Sequence, residues 1–188
     1  TLNLVHGEIT PMRYGGNYKS YGPQYPRGIQ EGNGVPADGD LWVSYSVNKE
    51  DMWISRIPVP VEINASAHAD DDFSKNKSIA ELTDWNIYSP VWAPVSLEDQ
   101  WLKLQDKDPF DYAKVERKIP ASKELKVSFD LKAGQNNKGT LQIEFLDENG
   151  IACSRMELTD DGIFRLKGGS RFANMMKYEA GKVYHVEA

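Results

Sequence analysis

Between Leu41 and Val61 the chain alternates, breaks and stops. Leu41, Val43, Tyr45 and Val47 alternate with Trp42, Ser44 and Ser46, the period-2 pattern of a strand. The polar run Asn48, Lys49, Glu50, Asp51 interrupts it, and Met52, Ile54 and Arg56 then alternate with Trp53, Ser55 and Ile57. Pro58 and Pro60 follow, and without backbone donors neither fits inside a ladder. The segment predicts two antiparallel strands around a polar turn, closed by a hard stop, with a different unit beyond.

The rest of the chain must accommodate that hairpin. At 188 residues with 40% hydrophobic content it can bury a core in one or two domains. It has no apolar run long enough for a membrane-spanning helix. Net charge is −6 and the pI about 5.1; with no basic stripe, nucleic acid is excluded as a partner. Cys153 is the single cysteine, which permits no internal disulfide, and its strand context predicts a small buried hydrophobe.

Three segments emerge. Residues 1–62 are rich in turn formers, among them Gly15, Gly16 and Asn17, Tyr25 to Gly28, and the Asp38-Gly39 tight-turn signal. Short strands joined by such loops suit a β-propeller blade, of which about three strands are legible. Residues 63–80, with Asp70, Asp71, Asp72 and little apolar content apart from Phe73, read as a linker. Residues 81–188 read as a β-sandwich. There Leu125, Val127, Phe129 and Leu131 alternate with polar residues, as do Leu141, Ile143 and Phe145, and Asp147 to Gly150 and Asp160 to Gly162 supply hairpin turns. One face is available to bury, so these seven apolar residues are expected to share one core. Both ends look like strands in progress, so the chain reads as a piece of a longer protein, its sandwich incomplete at the C-terminus.

With Tyr25-Pro26-Arg27-Gly28 and Gly39-Asp40-Leu41-Trp42 before it, and Asp84 to Pro94 after it, the hairpin resembles the C-terminal part of bacterial sialidase-like (BNR-repeat) β-propeller proteins. These occur in glycan-degrading systems, commonly of gut Bacteroidetes. The resemblance implies an all-β fold: the last part of a propeller followed by a jelly-roll sandwich of concanavalin or laminin-G type. It implies a secreted, periplasmic or cell-surface carbohydrate-active protein, a sialidase-like exo-glycosidase on acidic glycans. The alternatives are a non-catalytic glycan-binding protein and a polysaccharide lyase. The partners expected are a glycan or polysaccharide and the remaining propeller blades of the parent chain, without membrane insertion.

Four residues stand out as site candidates. Arg27 lies in a Gly-flanked loop, and an arginine fork binds carboxylates in a planar, bidentate way; sialidase-like propellers use arginines for acidic sugars. Its other reading is a brace between loops. Asn48 and Lys49 offer an amide and a cation beside Glu50 and Asp51. Adjacent carboxylates in one turn seldom flank a glycosidic bond at the roughly 5–10 Å that hydrolysis needs, and a solvated hairpin tip accounts for them equally. His6 has the intrinsic pKa of a general base, against a packed structural histidine. No cofactor is implied. Asp106, Asp108 and Asp111 have spacing that suits calcium and equally suits a charged turn. Trp85, Tyr88, Trp92 and Trp101 are expected to glue the two units together rather than line a sugar cleft.

Overall fold

The computed structural model describes residues 7–8, 12–16, 19–20, 22–29, 39–60, 65, 67–109 and 111–188. Among them the regular structure is all-β, apart from single 3-10 turns at Phe73–Lys75 and Ile79–Glu81. Contacts divide the chain into two compact units, Leu2–Pro120 and Ala121–Ala188. The division falls later than the junction at 81 expected from the sequence.

The first unit holds β1 (Gly7–Glu8), β2 (Pro23–Ile29), β3 (Leu41–Val47), β4 (Asp51–Ile57), β5 (Trp85–Ser89), β6 (Val95–Glu98), β7 (Trp101–Leu104) and β8 (Lys114–Arg117). They form three sheets: β2-β3-β4, β1-β5-β8 and the β6-β7 hairpin. The predicted hairpin is β3-β4, with Tyr45 opposite Trp53 and Val43 opposite Ser55. Asp51 belongs to β4, so the turn is Asn48–Glu50. Asn48 and Lys49 both take φ of 56°, and Glu50 N–H donates to Val47 C=O at 3.0 Å. Two left-handed residues in succession give the primed turn whose twist matches that of the strands.

Alternation decides which face is buried. Val43, Tyr45 and Val47 form a core with Trp53, Ile57 and Tyr88 packed against it. Tyr45 is 1% exposed, and its hydroxyl pairs with Ser55 Oγ at 2.8 Å; burying such a ring contributes on the order of 2–3 kcal/mol. A second core gathers Ile79, Leu82, Ile87 and Val95, with Phe73, Trp85 and Leu97 around them. Phe73 thus anchors the polar stretch as its isolated apolar character implies, its ring 5.9 Å from that of Trp85. Arg117 secures the same stretch: its Nε reaches Asp71 at 2.7 Å and its Nη2 reaches Asp84 at 3.4 Å. Trp85 and Tyr88 therefore pack inside the first unit. Trp92 is 58% exposed, contrary to its expected buried role, because the buried residue of that turn is its neighbour Ala93.

The second unit holds β9 (Ser128–Lys132), β10 (Leu141–Leu146), β11 (Ala152–Leu158), β12 (Ile163–Gly168), β13 (Arg171–Lys177) and β14 (Val183–Glu187). They form an antiparallel sheet β10-β11-β12-β13 and a two-stranded sheet β14-β9. Both turn signals are realised. Asp147 Oδ1 accepts from Asn149 N and Ile151 N, each at 2.8 Å, and Gly150 takes φ of 78°. Gly162 takes φ of 77° in the turn that Thr159 closes by accepting from Ile163 N at 3.1 Å. Val127, Phe129, Leu131, Leu141, Ile143 and Phe145 are all half-buried between exposed neighbours, as the alternation requires. Leu125 departs from it at 45% exposed. The ladder with the C-terminal strand reaches only as far as Val127, whose N–H and C=O pair with Ala188. Cys153 is exposed rather than buried. A bulge pairs Phe145 with Ser154 and Leu146 with Ala152, which leaves Cys153 between them without a cross-strand partner.

Candidate functional site

The β3-β4 turn is tied to the segments that precede β2 in the chain. Asn48 is 1% exposed. Its Oδ1 accepts from Gly22 N at 2.8 Å and its own N–H donates to Gly22 C=O at 3.0 Å. A left-handed asparagine thereby stitches the turn to the start of β2. Lys49 is half-buried, its Nζ 5.7 Å from the ring centre of Tyr25. Glu50 turns its carboxylate inward, 3% exposed. It accepts from Arg13 N at 2.8 Å, Tyr14 N at 2.7 Å and Lys19 Nζ at 3.3 Å. Its pKa is pushed down to about 2. The Arg13 N–H bond is the main cause, with Tyr14 N–H and the Lys19 ammonium adding to it against the cost of desolvation.

Arg27 lies in β2 rather than in a free loop, opposite Ser44. It is exposed, and its guanidinium makes no ion pair among the described residues. The structure brings Asn48 and Lys49 together in one turn and sets Arg27 on the neighbouring strand. His6 lies outside the described residues.

The aspartates proposed for calcium have other partners. Asp106 Oδ1 accepts from Asp108 N at 2.8 Å, and Asp111 Oδ2 accepts from the Tyr88 hydroxyl at 3.0 Å. That bond, behind burial, pushes the Tyr88 phenol pKa upward. No cluster of acidic, histidine or cysteine side chains suited to a metal occurs among the described residues. His68 is exposed. His185 Nδ1 meets Asp130 Oδ1 at 2.8 Å, which raises its pKa.

A second polar constellation lies in the sheet β10-β13, on the face opposite its apolar residues. Cross-strand register aligns Glu144, Arg155, Lys167 and Phe172 in one rank, and Gln142, Glu157, Arg165 and Asn174 in the next. The alternate rank, Ile143, Met156, Leu166 and Ala173, points to the other side. Glu157 is the hub at 2% exposed. Its Oε2 accepts from Arg165 Nε and lies 2.7 Å from Nη2. Its Oε1 accepts from Gln142 Nε2 at 3.2 Å and from Arg155 Nη1 at 3.4 Å. Arg155 Nε donates onward to Glu144 at 2.6 Å. The Arg165 guanidinium lies 4.4 Å from the Phe172 ring centre and Lys167 Nζ lies 5.2 Å from it, both within cation–π range. A shallow depression at one end of this face is lined by Ala152, Cys153, Ser154, Arg155, Lys167 and Gly169. The alternation Arg155-x-Glu157 and Arg165-x-Lys167 is visible in the sequence. Register, which sets these residues side by side, is not.

The family model for the sialidase-like CBM (carbohydrate-binding module) domain matches residues 85–188. A solved structure described as a sialidase is 91% identical to the chain, with a TM-score of 0.74, over 100% of this chain and 17% of its own. This chain therefore spans a small part of that protein. No curated protein matches. Together these findings bear out the sialidase-like resemblance and a glycan-related role. With more than half of its length matched by that family model, the chain belongs to the sialidase-like CBM-domain family.

Proposed function

We propose that this chain is the carbohydrate-binding part of a secreted or surface-attached protein whose catalytic unit is a sialidase-like exo-glycosidase acting on acidic glycans. The observation that carries the reading is the match of this whole chain to 17% of a protein described as a sialidase, together with the CBM match over residues 85–188. In this reading residues 1–62 belong to the last propeller blade, beside the remaining blades of the parent, and Arg27 faces the substrate. Its exposed guanidinium, without an ion pair among the described residues, supports that role. Glu50 is held by Arg13, Tyr14 and Lys19, and Arg13 also bonds Asp51. Neither of these carboxylates is available as acid or base, and in this reading both groups come from other parts of the parent chain.

Two measurements test it. The 188-residue chain is titrated calorimetrically with sialylated, uronate-containing and neutral oligosaccharides, and is assayed with aryl glycosides. The complete protein is assayed with the same substrates. Binding without turnover by the chain, and hydrolysis by the complete protein, are expected. Failure of the chain to bind any of these glycans refutes the binding role. Binding by a complete protein that hydrolyses nothing favours the non-catalytic reading, and an unsaturated sugar product establishes a lyase.

A further inference from the structure

We infer that the Lys167–Phe172 end of the polar face of β10-β13 is a binding subsite for one carboxylated sugar residue. The inference rests on the carbohydrate-binding reading and adds to it a location and a ligand chemistry.

The charges on this face do not cancel. Arg155, Arg165 and Lys167 stand against Glu144 and Glu157. Both carboxylates are already engaged: Glu157 by Arg165 and Arg155, Glu144 by Arg155. Lys167 makes no ion pair among the described residues, and its ammonium sits beside the ring of Phe172. A cation left over on a chain of net charge −6 is a local feature, and it matches a ligand carboxylate.

Phe172 supplies the second half of sugar recognition. It sits in an otherwise polar rank and is 46% exposed. The Arg165 guanidinium lies over the ring, so it is the remaining exposed part of the ring that takes the apolar C–H surface of a pyranose, and the cation beside it takes the carboxylate through a charge-assisted bond. The turn after β12 is open as well: a side chain added at Gly169, which lines the depression, would meet nothing within 4 Å. The Glu157 hub holds Arg155 and Arg165 before any ligand arrives, which lowers the ordering cost of binding.

Sialic and uronic acids share this chemistry, so the probes separate them. The 188-residue chain is titrated with sialyllactose, a galacturonate oligomer and lactose, as wild type and as Lys167→Gln, Phe172→Ala and the control Lys182→Gln. Alkylation of Cys153, which lines the same depression, gives an independent footprint. Folding of each variant is checked by far-UV circular dichroism. At least one acidic sugar is expected to bind more tightly than lactose. Lys167→Gln should weaken it about tenfold or more, the loss of one charge-assisted bond, and leave lactose unchanged. Phe172→Ala should weaken the acidic sugar too, Lys182→Gln should do nothing, and saturating ligand should slow Cys153 alkylation several-fold. Which acidic sugar responds identifies the ligand. Acidic-sugar binding undisturbed in Lys167→Gln and Phe172→Ala, with Cys153 unprotected, overturns this subsite and leaves the carbohydrate-binding reading standing. Equal affinity for lactose and the acidic sugars overturns the carboxylate assignment. Absence of binding to every probe overturns both the subsite and the reading it rests on.

Discussion

Replacing Asn48 separates a residue that builds the turn from one that serves a substrate. Two costs attend Asn48→Ala. Removing Oδ1 takes the acceptor from the N–H of Gly22, a buried residue, and an orphaned buried donor costs about 1–3 kcal/mol. Alanine must also hold φ near 56°, which costs an L-residue with a Cβ roughly 1–2 kcal/mol. Asn48→Ala should therefore lose about 2–5 kcal/mol. Asn48→Gly removes the acceptor without the steric cost and should lose about 1–3 kcal/mol. Asn48→Asp keeps an oxygen in place but buries a carboxylate beside Glu50, so it too should lose stability. Trp42, Trp53, Trp85, Trp92 and Trp101 are the five tryptophans of the chain, and all lie in the unit Leu2–Pro120. Tryptophan fluorescence in a urea titration thus reports that unit alone. Stability of Asn48→Ala within about 0.5 kcal/mol of wild type, the ordinary range of a surface change, would refute the argument. So would a glycine variant weaker than the alanine one. Should Asn48 act on substrate, Asn48→Asp in the complete protein loses activity at temperatures where it remains folded.

Other outcomes follow from the same geometry. Glu50 has its pKa pushed down to about 2. Its stabilisation is complete above the ordinary carboxylate value near 4.5 and is lost as pH falls through the folded value. Acid titration followed by tryptophan fluorescence should show this loss in wild type and not in Glu50→Gln; identical acid profiles would contradict it. His185 has its pKa raised, chiefly by its bond to Asp130. Its contribution is complete below the ordinary imidazole value of about 6.5 and is lost as pH rises through the folded value. Histidine NMR titration should show Asp130→Asn returning the pKa downward, and an unmoved pKa would disprove the pairing. Ile87 is 0% exposed, so Ile87→Ala should cost about 2–5 kcal/mol, whereas Trp92→Ala should cost under about 1 kcal/mol. Equal losses in urea titration would show that the burial ranking is wrong.

How much could be seen beforehand depended on the range of the interaction. The alternation from Leu41 to Ile57 revealed two strands and their buried face, because side-chain direction in a strand is local. The Asp147 and Asp160 turns were legible for the same reason. Asn48 was not: its partner Gly22 is 26 residues away, and its left-handed backbone follows from the twist of both strands. Arg27 suggested a loop because Pro26 and Gly28 flank it, yet pairing with β3 draws it into a strand. Cys153 looked buried from its strand context, but the start of β11 from Ala152 to Ser154 is exposed throughout. The polar ranks of β10-β13 were hidden for a related reason. Each strand shows its own alternation, but only register sets Arg155 beside Lys167 and Glu157 beside Arg165.

The two units use a buried carboxylate to different ends. Glu50 gathers the N–H groups of Arg13 and Tyr14 and the ammonium of Lys19. None of these three residues is in a strand, so the carboxylate supplies the acceptors that a ladder would otherwise provide. Glu157 sits in a complete ladder, its backbone paired on both sides, and its side chain is not needed to satisfy main-chain donors. What it satisfies instead are two guanidinium groups and an amide. A buried carboxylate needs paired and hydrogen-bonded partners in any case, so its contacts alone do not show whether the hub serves the fold or the face. Removing the hub carboxylate therefore tests its purpose. Glu157→Gln should disturb the orientation of Arg155 and Arg165, and with it glycan affinity, more than it disturbs the pairing of β11 with its neighbours. Hydrogen exchange along β11 and glycan titration of the same variant measure the two effects separately. A variant that loses ladder protection but binds glycan at full strength would show that the hub serves the fold and not the face.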